Sequence, residues 1–155
     1  MPNSQDTSPS LRIDIAANAE MLCVLRSALS AWCLRAGIST SRTDAACMAV
    51  DEAAANIIRH AYQDQSGRIR LTCKVADASI WLELEDDGVQ VPLDSIQPRP
   101  LDDVRPGGLG VHLIQQVMEN VTWAHRDEGG TRLLMSMPIE KFGGCEQTEE
   151  VMHAL

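Results

Sequence analysis

The spacing of apolar and polar residues changes several times along this chain, and each change marks an element. Leu11-Arg-Ile-Asp-Ile15 alternates with period two, as a half-buried strand does. Asn18 then stands in a capping position before a helical run of Met21, Leu22, Val24, Leu25, Leu29 and Trp32 that closes near Gly37. Ser39 or Thr40 opens a second helix of about 20 residues. Its apolar positions Ala46, Val50, Ala53, Ala54, Ile57 and Ala61 keep helical spacing and are expected in the core. After the turn Gln63-Asp-Gln-Ser-Gly67, two strands are expected over 68–76 and 79–85, joined by a short hairpin at Asp77. Residues 88–108 lose all period and hold Pro92, Pro98, Pro100 and Pro106. A loop of this length inside a compact domain is usually functional or disordered. Val111, Leu113, Ile114, Val117 and Met118 predict a third helix. Two closing strands, over 121–125 and 131–138, flank the turn Asp127-Glu-Gly-Gly130.

Strands in consecutive pairs with helices grouped between them predict a two-layer α+β sandwich with a mixed, mainly antiparallel sheet. The chain's 155 residues suit one domain, over 10–140, between a disordered tail at 1–9 and a C-terminal tail at 141–155. Hydrophobic content of 45% with 23% charged residues is that of a soluble globular protein. A net charge of −9 argues against nonspecific binding to nucleic acid or an anionic membrane, so neither is an expected partner. Aromatic residues are only 3%, which leaves Leu, Ile, Val, Ala and Met to build the core. The opening MPNSQDTSPS has no apolar segment of a secretory signal. The five cysteines show no CxxC spacing and read as free thiols in a reducing compartment, so a cytoplasmic location is expected. No zinc-ligand spacing links them to the histidines.

Three stretches carry candidate chemistry. In Asp51-Glu-Ala-Ala-Ala-Asn-Ile-Ile-Arg-His-Ala-Tyr62, helical spacing projects Glu52 and Asn56 from one face, and Arg59 and His60 extend the row. A carboxylate there can accept a proton, and an amide oxygen can hold a hard cation such as Mg²⁺. In Leu84-Glu-Asp-Asp-Gly88 a strand runs into an acidic turn, where a carboxylate can accept hydrogen bonds from an exocyclic amine and glycine lets backbone approach a flat ligand. Gly107-Gly-Leu-Gly110 opens a helix and can offer backbone N–H groups to phosphate oxygens. Taken alone, each is more often something plainer, namely a solvated helix face, an Asp-Gly turn and a hinge.

Their order carries more than any one of them. ExxxN on a helix, a strand ending in DxG, a proline-rich loop and GGLG before a helix resemble the GHKL class of ATPases (the Bergerat, histidine-kinase-like fold). More narrowly, Val50 to Tyr62 is similar to the N-box of the bacterial anti-sigma factor serine kinases, and Gly107-Gly-Leu-Gly-Val-His-Leu-Ile114 resembles their second glycine box. The resemblance spans about residues 11–138. It implies a nucleotide between helices and sheet under a short ATP lid, with ATP and Mg²⁺ as cofactors. Glu52 would be the general base and Asn56 the Mg²⁺ ligand. Asp86 would accept the adenine amino group, with Gly88 lining the base and Thr131 helping through a water. Gly108, Leu109, Gly110 and Val111 would offer backbone N–H groups to the phosphates, and Arg105 would reach the γ-phosphate from the lid. The usual DxGxG is here Asp86-Asp87-Gly88-Val89-Gln90, which lacks the second glycine and leaves Asp86 and Asp87 as alternatives.

The same resemblance implies the function of an anti-sigma factor with serine/threonine-protein kinase activity. Such a protein sequesters a sigma factor and phosphorylates a STAS-domain antagonist in a partner-switching module. Two alternatives remain: a switch kinase that activates a phosphatase, and a nucleotide-binding sequestration module without kinase activity. About ten residues precede the first strand, so the phosphoacceptor helices of a sensor histidine kinase are not expected. Related proteins are often homodimers, and Leu22, Leu25, Leu29 and Trp32 suit either such an interface or the chain's own core.

Overall fold

The computed structural model describes residues 10–96 and 109–139. Along them run β1 (Ser10–Ala16), α1 (Ala19–Arg35), α2 (Thr40–Asn56), β2 (Arg68–Ala76), β3 (Ser79–Asp86), α3 (Leu109–Val117), β4 (Glu119–His125) and β5 (Thr131–Pro138). Each expected element forms, in the expected order. Of the proline-rich stretch, Leu93–Ser95 makes a single 3₁₀ turn. Both expected tails, together with Arg105 and Gly108, lie outside the described residues.

Local chemistry sets the helix ends. Asn18 is extended, and its side-chain oxygen accepts the Met21 N–H at 3.0 Å, satisfying one of the donors a helix leaves open at its start. At the other end of α1, Gly37 takes φ +77° and Ile38 N–H reaches the Cys33 carbonyl at 3.0 Å, which closes the helix. Ser39 Oγ then accepts the Arg42 N–H at 3.4 Å and starts α2.

The second helix departs from its expected course after Asn56. Ile57–Ala61 winds as a π-turn, with the Tyr62 N–H on the Ile57 carbonyl at 3.1 Å. The wider turn shifts the helical phase. Ile58 therefore takes the buried place expected of Ile57, which is half-buried instead. Arg59 and His60 are exposed, whereas Glu52 and Asn56 are half-buried.

The sheet has the order β1-β2-β3-β5-β4, and all four pairings among the described residues are antiparallel, where a mixed, mainly antiparallel sheet was expected. Asp77 and Ala78, both at positive φ, make the two-residue turn between β2 and β3, a geometry that matches the strand twist. Register places Leu71 opposite Leu84, Leu84 opposite Leu133, and Leu82 opposite Met135. These side chains share one face with Ile69, Cys73, Ile80 and Met137, and the helices cover it. Leu25 and Leu29 of α1 are fully buried in this cluster, with Leu22 and Trp32 packed against it, so all four serve the chain's own core. The opposite face is polar, with Arg70, Glu85 and Arg132 in one cross-strand row.

Cys33, Cys47 and Cys73 are buried free thiols, and Cys23 is an exposed one. Burial pushes the Cys33 thiol up to about 12, which removes thiolate reactivity near neutral pH. Among the described residues no helix is long and apolar enough to cross a membrane.

Leu82 is wholly buried at the centre of the sheet. Leu82→Ala is expected to cost about 2–5 kcal/mol through lost burial and the cavity left behind. Urea denaturation of the two proteins measures the difference.

Candidate functional site

Period-two alternation carries a carboxylate into the interior. Ile80, Leu82 and Leu84 of β3 all point into the core, and Asp86 follows them in the same phase at the strand end, 1% exposed. Its Oδ1 accepts the Gly88 N–H at 2.8 Å, and the Thr131 N–H also donates to the carboxylate. Burial pushes the Asp86 carboxyl above its ordinary value, against the pull of those two donors. Thr131 is itself buried, at the start of β5.

Asp87 points the other way. Arg70 holds its carboxylate through both terminal nitrogens, at 2.6 and 2.7 Å, and Arg126 Nη1 adds a third bond at 2.6 Å. Hydrogen bonds from Arg70 and Arg126 hold its carboxyl well below the usual carboxylate range. On the outer face Arg132 donates twice to Glu85, at 2.9 and 2.8 Å. Of the two alternatives, Asp86 is therefore the inward carboxylate, and Asp87 is occupied by ion pairs.

The turn after β3 lies directly on the end of the second helix. Val89 N–H donates to the Ala61 carbonyl at 2.8 Å. A methyl group at Gly88 would sit 2.5 Å from that same oxygen, so only glycine lets the two backbones approach. Tyr62, next in the chain, accepts the Asp87 N–H at 2.8 Å and donates to the Arg68 carbonyl at 2.7 Å.

The third helix meets the second at a matching point. A methyl group on Gly110 would lie 2.5 Å from Oε2 of Glu52 and 3.4 Å from Nδ2 of Asn56. Glu52 and Asn56, both half-buried, thus stand against the first turn of α3. Val111 turns its side chain into the core, and Leu109 is the first residue of the helix. Among the described residues no group of three or more His, Cys, Asp or Glu side chains gathers to hold a metal. The oxygens of Glu52 and Asn56 are hard donors of the kind that share a cation with phosphate rather than enclose it.

Residues 50–62, far in the chain from the other two stretches, thus contact both, Ala61 meeting Gly88 and Glu52 and Asn56 meeting Gly110. Sequence reasoning passed over Arg70 and Arg126, whose partners depend on cross-strand register. Tyr62 stood inside a recognised motif, but nothing local announced its partners.

A sheet covered by helices on one face, with a buried strand-end carboxylate and a polar helix pair at a glycine-opened helix, is the framework of a nucleotide-binding domain. Residues 15–137 match the family model of the histidine kinase-like ATPase domain, and the chain belongs to that family. It is similar to the serine-protein kinase RsbW of Staphylococcus epidermidis, 30% identical over 137 residues, covering 82% of this chain and 86% of the relative. The serine-protein kinase RsbW of a Bacillus cereus strain is 26% identical over 139 residues, covering 84% of this chain and 86% of the relative. In fold it resembles the crystal structure of the RsbU and RsbW domains of a Mycobacterium tuberculosis protein, with a TM-score of 0.63 and 20% identity. That match covers 84% of this chain and 32% of the longer one. The expected superfamily and its serine-kinase branch are both met by these matches.

Asp87 gives a pH-dependent expectation. Its folded pKa lies below the unfolded value of about 3.9, so its contribution is fully present above that pH and fades as pH falls toward the folded value. The side chain is 49% exposed, which keeps the contribution small. Asp87→Asn is expected to lower stability by about 1 kcal/mol at pH 7, with the gap narrowing below about pH 4. Urea titrations at pH 7 and pH 3 check both parts.

Proposed function

We propose that this chain is an ATP-dependent serine/threonine-protein kinase that also acts as an anti-sigma factor, holding a sigma factor and phosphorylating a STAS-domain antagonist. The observation that carries the kinase reading is the convergence of Glu52 and Asn56 on Gly110 at the start of α3. A module that only sequestered its partner would not need a carboxylate there.

Asp86 accepts the amino group of adenine in this reading, Gly88 lines the base, and Thr131 contributes beside it. The N–H groups of Leu109, Gly110 and Val111, and that of Gly108 outside the described residues, would donate to the phosphates, which the positive end of the helix dipole favours. Arg105, outside the described residues, would pair with the γ-phosphate. The Asn56 amide oxygen would hold Mg²⁺, which would supply positive charge against the phosphates. Glu52 accepts the proton of the attacking serine or threonine hydroxyl. The oxygen–phosphorus bond to the protein forms, the bond to the bridging oxygen breaks, and ADP leaves with the electron pair.

Incubation with labelled ATP, Mg²⁺ and the STAS-domain protein tests this directly. Label is expected on a serine or threonine of that protein, reduced about 10²- to 10⁴-fold by Glu52→Gln. Persistent transfer by Glu52→Gln would remove the general base, and ATP binding without transfer would favour sequestration. Pull-down of a phosphatase instead of a sigma factor would support the switch-kinase alternative.

Gly110→Ala is a second check. Only the far end of a flexible side chain must move, so folding should be kept within about 1 kcal/mol, while transfer falls because Glu52 is displaced. Equal activity of Gly110→Ala and the parent would contradict the placement of Glu52. Asn56→Ala should weaken Mg²⁺-dependent nucleotide binding, measured by calorimetry with and without the cation.

A further inference from the structure

The peptide between Asp86 and Asp87 is gripped from two directions. From the end of the second helix, Tyr62 Oη accepts the Asp87 N–H at 2.8 Å while donating to the Arg68 carbonyl at 2.7 Å. From the end of β4, Arg126 Nη1 donates to the Asp86 carbonyl at 2.6 Å and to Asp87 Oδ1 at 2.6 Å. The Arg126 side chain is only 12% exposed, and Nη1 also reaches the Gly129 carbonyl at 3.2 Å. Its backbone is tied back to the turn after β3, because Gln90 Nε2 donates to the Arg126 carbonyl at 2.9 Å. Gln90 stands at the place of the second glycine in the usual DxGxG pattern, and its side chain is committed to this bond.

These bonds act on the backbone on either side of a buried acceptor. The aim of the Asp86 carboxylate depends on the torsions of its own residue and on where the following peptide lies. One end of that peptide is held through the Asp86 oxygen and the other through the Asp87 nitrogen. The ion pair of Asp87 with Arg70 then prevents the residue from turning over. A carboxylate aimed in this way suits a donor at one fixed place, and preorganised acceptors discriminate best between ligands that differ by a single donor.

We propose that Tyr62 and Arg126 are positioning residues that jointly fix the aim of Asp86 and thereby set a preference for a purine bearing a 6-amino group. The proposal rests on the reading of Asp86 as the adenine acceptor. Neither residue hydrogen-bonds the Asp86 carboxylate itself. Each acts through the peptide that follows Asp86, one from the helix that carries Glu52 and Asn56 and the other from the hairpin that carries Thr131.

The test compares ATP with purine riboside triphosphate, which lacks only the 6-amino group, by competition against a fluorescent nucleotide on the full chain. The parent is expected to prefer ATP by about tenfold or more. Tyr62→Phe and Arg126→Met should each reduce that preference by about fivefold, because ATP loses affinity while the analogue keeps its own. Arg126→Lys, which retains a donor without the planar fork, should recover part of the preference. Equal weakening of both nucleotides would mark the two residues as merely structural and overturn the proposal, as would an unchanged ratio. Should Arg126→Met fail to fold, Tyr62→Phe, which removes one oxygen, decides the question. Asp86→Asn separates the two levels of inference. If the parent shows no preference, or if Asp86→Asn leaves it intact, the adenine reading fails and this inference falls with it. If Asp86→Asn abolishes the preference and the two positioning variants do not alter it, only this inference fails.

Discussion

A carboxylate buried at the end of a sheet is costly unless backbone donors meet it, and the whole site is arranged around meeting this one. Asp86 receives the N–H groups of Gly88 and Thr131, which requires the turn after β3 and the start of β5 to lie beside it. Those two segments are in turn anchored, one on the Ala61 carbonyl and the other through pairing with β3. The position of the acid therefore determines how the second helix, the central strand and the closing hairpin meet.

The charged surface of the sheet supports the same point from outside. Arg70, Arg126 and Arg132 share Glu85 and Asp87, so that acidic and basic side chains alternate across the strands. Exposed pairs of this kind add little stability individually. Their effect here is geometric, since the bidentate bond from Arg70 commits Asp87 to the outer face and leaves Asp86 as the one acidic group of that turn directed into the interior. The π-turn at Ile57–Ala61 has a comparable effect on the other side. By widening the last turn of the second helix it brings the Ala61 carbonyl and Tyr62 against the strand end, and π-turns are frequent where a helix has been adapted to a function.

Much of this was legible in the residues themselves. Alternation marked β1, β2, β3 and β5, while Asn18, Ser39 and Gly37 marked helix limits through capping chemistry that depends only on near neighbours. The acidic pair stayed ambiguous as a motif, and the structure put Asp86 in phase with Ile80, Leu82 and Leu84. That Glu52 and Asn56 share a helix face followed from helical spacing, but its meaning came from the order of the three motifs. Ile57 was misplaced because the expected phase assumed an unbroken α-helix, and π-winding depends on what the helix end must contact. Arg126 gave no local sign, because its acceptors belong to β3 and the closing turn.

The sequence by itself determined the elements, the buried face of each strand and the polar groups that stand as candidates for a site. These are properties of period and side-chain chemistry, which operate over a few residues. Only the tertiary structure decided that Gly110 lies against Glu52 and Asn56, that Gly88 lies on the Ala61 carbonyl, and that Tyr62 and Arg126 hold one peptide between them. Each of those contacts joins segments far apart in the chain, so it exists only once sheet register and helix packing have brought them together.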